Sequence, residues 1–256
     1  MSTVRIGAVA LGPGRPKVCV PLTGSTVDAL TAEAAAIRAD VADLVELRID
    51  RFADVADERA VRHAVTAVRA ALDPRLPILF TLRTAAEGGG AQPAPEALQS
   101  LLVLAAGLDG VAAVDVEMAL PTELVGAVVD AAHTARRPVV LSFHDLRGTP
   151  AREAVVERLV RQQELGADVV KLAATPTAPE DVLTLLAATR DYASRPDAVP
   201  AITMAMGPLG VVSRLAGETF GSVLTFGTVG AASAPGQVDA ARLRDALDLI
   251  HAARPD

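Results

Sequence analysis

The stretch PVVLSFHDLRGTPAREAVVERLVRQQELGADVVKLA, residues 138–173, decides the fold. PVVLSFHD (138–145) and DVVKLA (168–173) are short aliphatic runs of the kind that form buried strands. Between them TPAREAVVERLVRQQELG (149–166) reads as a helix, with Thr149 as its cap and Pro150 at its first helical position. Two strands joined by a helix of this length form a βαβ unit, and so a parallel sheet.

The pattern repeats along the whole chain. Further runs are KVCVPL (17–22), DLVELRID (43–50), PILFTLRT (77–84), VAAVDVE (111–117), PAITMAM (200–206) and SVLTFG (222–227). Helix-like segments such as STVDALTAEAAAIRA (25–39) separate them. About eight such units in roughly 250 residues is the count of a (β/α)8 TIM barrel. The rival is a doubly wound sheet, which usually opens on a G-x-G-x-x-G turn; the first turn here is PLTGST. Residues 1–256 are therefore expected to form a single barrel domain, with 1–16 as a short N-terminal segment closing the barrel floor.

Composition narrows the function. Of 256 residues 51% are hydrophobic but only 2% aromatic, so the core is aliphatic. Net charge is −7, with no basic block, one Tyr and no Trp. Nucleic-acid binding, which needs a phosphate-tracking stripe or stacking platforms, is not expected. No apolar stretch reaches the roughly 18–20 residues of a membrane span. Gly and Pro interrupt MSTVRIGAVALGPGRPK before a signal-peptide core can form. One cysteine, Cys19, leaves no internal disulfide, and a reducing cytoplasm is the expected compartment. Within KVCVPL it reads as a small buried hydrophobe.

Barrel active sites lie at the C-terminal ends of the strands, and there the polar residues collect. Glu46, Arg48 and Asp50 end the second strand and share one face. Arg83, followed by Glu87, ends the third; Asp115 and Glu117 the fourth; His144 and Asp145 the fifth. Lys171 lies on the sixth, and Met204 and Met206 end the seventh. Of 24 basic residues only Lys17 and Lys171 are lysines. A lysine kept in an apolar strand suggests chemistry closed to arginine: losing a proton and attacking carbon. His144 and Lys171, on consecutive strands, are expected side by side, and nearby arginines and burial are expected to lower the lysine pKa. Such a lysine forms Schiff bases with ketones or aldehydes, and the arginines imply an anionic substrate. Each residue also has a plainer reading: His144 bonded to backbone, Glu46, Arg48 and Arg83 as a rim ion-pair network, the methionines as core. Asp115 and Glu117 are ambiguous. His63, His133 and His251 fit surface roles.

ELRID, FTLRTAAEGG, SFHDLRGTP, GADVVKLAATP and ITMAMGPLGVVSRLAGETFGSVLTFGTVGAASAPGQ, in that order, closely resemble the type I 3-dehydroquinate dehydratases from about residue 16 to residue 250. The resemblance implies conversion of 3-dehydroquinate to 3-dehydroshikimate and water by syn elimination through a lysine imine, in the shikimate pathway, without metal or organic cofactor. It implies that Lys171 forms the imine, His144 is the general acid–base and Glu87 orients it. Arg214 would grip the substrate carboxylate, and Glu46, Arg48 and Arg83 the ring hydroxyls. Ser233 and Gln237 would belong to a closing loop, and Met204, Met206 and Phe226 would line the pocket. A homodimer is likewise implied. Where the family often has a serine on the first strand this chain has Pro21, so one substrate hydrogen bond is missing or supplied by Thr23 or water. An imine-forming aldolase acting on a sugar phosphate, and a non-catalytic barrel, stay open as rivals.

Overall fold

The structure is a computed structural model and describes residues 2–230, 236 and 238–254. All eight aliphatic runs form strands: β3 (Lys17–Leu22), β4 (Leu44–Arg48), β5 (Ile78–Thr81), β6 (Val111–Glu117), β7 (Val139–Asp145), β8 (Val169–Ala174), β9 (Ala201–Ala205) and β10 (Leu224–Thr228). Before them β1 (Val4–Ile6) and β2 (Val9–Leu11) pair antiparallel. A two-residue β11 (Val238–Asp239) pairs with β10. From β10 through β3 to β9 every neighbouring pair is parallel. The sheet curls until β9 meets the approach to β10, where Ala201 bridges Ser222 and the Val223 N–H donates to Ala201 O at 2.9 Å. This is the expected (β/α)8 barrel.

Helices α1 (Val27–Ala36), α2 (Glu58–Ala71), α3 (Pro95–Ala106), α4 (Thr122–Thr134), α5 (Arg152–Glu164), α6 (Pro179–Ala193), α7 (Val211–Leu215), α8 (Gly217–Phe220) and α9 (Ala240–Ala252) follow the strands. In α2, Asp57 caps the N-terminus by accepting from the N–H of Arg59 and Ala60. Val61, Ala64, Val65 and Val68 then recur at helical spacing and are buried. They join the outward residues of the sheet, such as Val45, Leu47 and Phe80, in one core. The start of α5 differs from expectation. Its first carbonyl acceptor is Ala151, bonded by the N–H of Val155, so Thr149 and Pro150 precede the helix rather than open it.

Inside the barrel the lower layer is apolar. Cys19, Leu44, Leu79, Ala113, Val140, Val169, Ile202 and Leu224 pack together, and Ile6 and Leu11 of the hairpin close the layer from below. Each fully buried aliphatic side chain contributes about 1.5–3 kcal/mol, so the hairpin is a plug with its own driving force. Gly7 turns it at φ +56, where an added Cβ would lie 3.0 Å from Pro77 Cβ.

Candidate active site

Above that layer the interior changes from aliphatic to polar, strand by strand. Every second residue points inward, so β4 presents Leu44, Glu46 and Arg48 in turn, and β6 presents Ala113, Asp115 and Glu117. β7 presents Val140, Ser142 and His144, and β8 presents Val169 and then Lys171. The upper layer opens into a cavity of about 460 Å³. Glu46, Arg48, Arg83, Glu87, His144, Lys171, Met204, Met206, Arg214 and Phe226 all line it. Ser233 and Gln237 lie outside the described residues.

Lys171 is 3% exposed. Its Nζ lies 3.0 Å from Asp115 Oδ2 and 3.3 Å from Glu46 Oε1, and 4.8 Å from the centre of the Phe226 ring. The expected lowering of its pKa is not what this environment produces. Burial does disfavour the ammonium, but Asp115 and Glu46 outweigh it, and the pKa stands above the ordinary lysine value. Two carboxylates contributed by other strands, and not the arginines alone, set the charge around the amine.

The register also corrects the neighbour. Ser142 lies opposite Lys171, and His144 lies opposite Ala173, two residues nearer the mouth. Ser142 Oγ donates to Asp115 Oδ1 at 2.6 Å.

Arg83 lies just beyond β5 rather than within it and is 3% exposed. Its guanidinium donates to Asp115 at 2.7 Å, Glu117 at 3.0 Å, Ser142 at 2.9 Å and Glu87 at 3.3 Å. Burial raises the Asp115 pKa, yet Arg83 and Lys171 hold the carboxyl well below the usual range. Glu117 in turn accepts from the backbone N–H and the hydroxyl of Thr84, both at 2.7 Å. The ion-pair reading of Arg83 therefore describes the geometry. Asp50, expected at the end of the second strand, sits in a single helical turn after it and grips Arg48 through two bonds of 2.7 and 2.9 Å.

Glu87 Oε2 lies 2.8 Å from His144 Nδ1 and accepts the His144 backbone N–H at 3.1 Å. Because Arg83 also donates to this oxygen, Oε2 is an acceptor, and the bonding assigns the ring hydrogen to Nδ1. Nε2 then carries the lone pair. Burial, with Arg83 and Lys171 nearby, pushes the His144 pKa well below its ordinary value, so the ring is neutral at pH 7. Burial raises Glu87 to about 8, with Arg83 opposing and Glu117 and Asp115 adding to the rise. The loop that presents Glu87 needs the glycines after it: a Cβ on Gly89 would lie 1.8 Å from Arg83 O.

Arg214 comes from α7, is buried, and has no carboxylate partner among the described residues. Nη1 lies 3.9 Å from Met204 Sδ, Nε is unbonded, and burial lowers the pKa. A buried cation without a counter-ion is costly unless a ligand supplies one. Arg51, Gly88, Leu146 and Thr175 also line the cavity, and the sequence reading singled out none of them. Pro21 stands opposite Glu46 in β3, and the Thr23 N–H is taken by Glu33 at 2.7 Å. His133 and His251 pair at the surface with Asp168 and Glu218. No described helix is long and apolar enough to cross a membrane.

Comparison with known proteins finds relatives by profile, by sequence and by fold. A family model described as type I 3-dehydroquinase matches residues 18–254. A 3-dehydroquinate dehydratase from Listeria innocua is 45% identical over 251 residues, covering 98% of this chain and 99% of that protein. The structure of the Clostridium difficile type I 3-dehydroquinate dehydratase, solved with covalent modified comenic acid, superposes with a TM-score of 0.95 at 37% identity, covering 99% of each chain. That of the Geobacillus kaustophilus 3-dehydroquinate dehydratase gives 0.90 at 32% identity, covering 99% of this chain and 98% of the other. By profile, sequence and fold alike, the chain belongs to the type I 3-dehydroquinase family.

Proposed function

We propose that this protein dehydrates 3-dehydroquinate to 3-dehydroshikimate through an imine on Lys171. One juxtaposition carries the reading: a buried amine, a neutral imidazole with its Nε2 lone pair and a guanidinium that meets no carboxylate among the described residues line a single cavity. Arg214 takes the substrate carboxylate as the counter-ion it lacks. Arg48, held rigid by Asp50, and Glu46 take ring hydroxyls.

Neutral Lys171 attacks the C3 ketone, and the carbinolamine, taking up one proton on its hydroxyl, loses water to leave an iminium; that proton is released again when the product iminium is hydrolysed. Its positive nitrogen accepts the electron pair released when His144 Nε2 removes the C2 proton. The enamine then returns those electrons, C1–O breaks, and the imidazolium gives its proton to the departing hydroxyl on the same face. Water hydrolyses the product iminium and restores the amine. Borohydride added to protein and 3-dehydroquinate should leave a stable adduct that peptide mapping locates on Lys171. Product without adduct would keep the reaction and discard the imine.

Three expectations test the assigned roles. His144→Ala should still form the trapped adduct while product formation falls by about 10²- to 10⁴-fold. In the unaltered protein, single-turnover imine formation should accelerate from pH 7 to pH 9, because the raised Lys171 pKa makes the amine the minority species. A flat rate would mean that bound substrate discharges the lysine. Arg214→Ala should raise KM by roughly 10- to 100-fold with little change in kcat, given about 1.5–3 kcal/mol for a hydrogen bond to a charged group. Its Tm should not fall, since the side chain removed is a buried charge with no carboxylate partner among the described residues. We further propose cytoplasmic residence, a homodimeric assembly, checked by light scattering, and a place in the shikimate pathway.

A further inference from the structure

Resting on the imine reading, we infer that Gln162, outside the barrel on α5, is a positioning residue for Lys171. The buried stripe of α5 consists of Val155, Leu159 and Gln162, so an amide occupies a place where the helical pattern calls for an aliphatic side chain. Gln162 is 0% exposed. Its Oε1 accepts the backbone N–H of Lys171 at 2.9 Å, and its Nε2 donates to the carbonyl of the same residue at 2.9 Å. One planar amide thus brackets one peptide residue from behind, while the side chain of that residue projects into the cavity.

Two bonds to one residue fix more than position. A single bond would leave the backbone free to pivot about it, whereas a donor and an acceptor held in one plane restrict rotation of the strand at Lys171. The nitrogen lies a long flexible stem away from that anchor. It must discharge its proton between Asp115 and Glu46 and meet a carbonyl carbon along a narrow approach. A misplacement of about 1 Å at a reacting group costs on the order of 100-fold in rate. The Gln162 side-chain amide hydrogen-bonds Lys171 alone among the described residues, and not Arg214, Arg48 or Glu46, so its effect should fall on bond formation and not on non-covalent binding.

Gln162→Met keeps length and volume and removes both hydrogen bonds. In folded protein, kcat and the single-turnover rate of borohydride-trappable imine should fall by roughly 10- to 100-fold. KM should stay within about twofold. Leu159→Ala, one turn earlier on the same stripe, serves as control: it creates a core cavity and lowers Tm but leaves the Lys171 bonds intact, so its kcat should match that of the unaltered protein. A folded Gln162→Met variant with unaltered kcat, or one whose kcat falls no more than that of Leu159→Ala at equal loss of Tm, would overturn the inference. Should the Met variant not fold, Gln162→Asn keeps the amide one methylene short of its reach. Its folded protein must lose imine rate at constant KM for the inference to stand. The unaltered protein run in parallel separates the two claims, because absence of adduct there fails the imine reading itself.

Discussion

Lys171→Ala is expected to fold and to lose turnover by at least about 10⁴-fold, the scale on which removal of a nucleophile acts in enzymes that form covalent intermediates. The loss should be indifferent to charge. Lys171→Arg keeps a cation between Asp115 and Glu46, and Lys171→Met keeps the stem against Phe226, yet neither offers a nitrogen that can form an imine. All three should bind substrate, because Arg214 and Arg48 are untouched, and none should yield a borohydride adduct. Arginine restoring even a hundredth of the activity would make the lysine an electrostatic group and return the site to general acid–base catalysis alone. The buried ion pairs explain why folding should survive: Asp115 keeps Arg83 at 2.7 Å and Ser142 at 2.6 Å when the ammonium is gone.

That lysine was legible from the sequence, and the reason is compositional. In a chain that uses arginine almost everywhere a cation is wanted, a lysine inside GADVVKLAATP has few structural excuses. The strands were legible because each is a short aliphatic run between helical segments, and the inward set followed from alternation once the barrel was assumed. Register was not legible. A slip of two residues along one strand separates the expected His144–Lys171 pair from the observed Ser142–Lys171 pair, and no local pattern in SFHD or VVKLA encodes it. The lysine pKa was misjudged for the same reason. Its sign depends on Asp115 and Glu46, which reach Nζ from strands distant in sequence. Gln162 is not legible because a glutamine in a helix normally faces water, and only the tertiary packing turns this residue of RQQE toward β8.

Arg83→Met should be the most damaging substitution for the fold itself. This guanidinium, 3% exposed, is the shared partner of Asp115, Glu117 and Glu87. Removing one member of a buried ion pair leaves an uncompensated charge and costs about 3–5 kcal/mol. For a chain of this size that corresponds to a fall in Tm of roughly 6–20 °C. The dependence on pH follows from the direction of the Asp115 shift. A carboxyl whose folded pKa is depressed contributes stability that is fully present above its unfolded value, about 3.9, and is lost as pH falls through the folded pKa. On this account the gap in Tm between the two proteins should be full at neutrality and should narrow as the pH falls below about 4. Glu87 has the opposite sign. Its pKa of about 8 means that the folded protein resists ionising it, and Arg83 is the charge that limits this rise. Without Arg83 the Glu87 pKa should climb further, so the variant should be penalised most on the alkaline side, where the carboxyl is forced to ionise. Thermal melts at about pH 3, 7 and 9 read the acid-side narrowing, the full gap and the alkaline penalty. A gap that is constant with pH would mean that Arg83 stabilises by packing alone, and that the carboxylates around it are solvated by means other than their ion pairs.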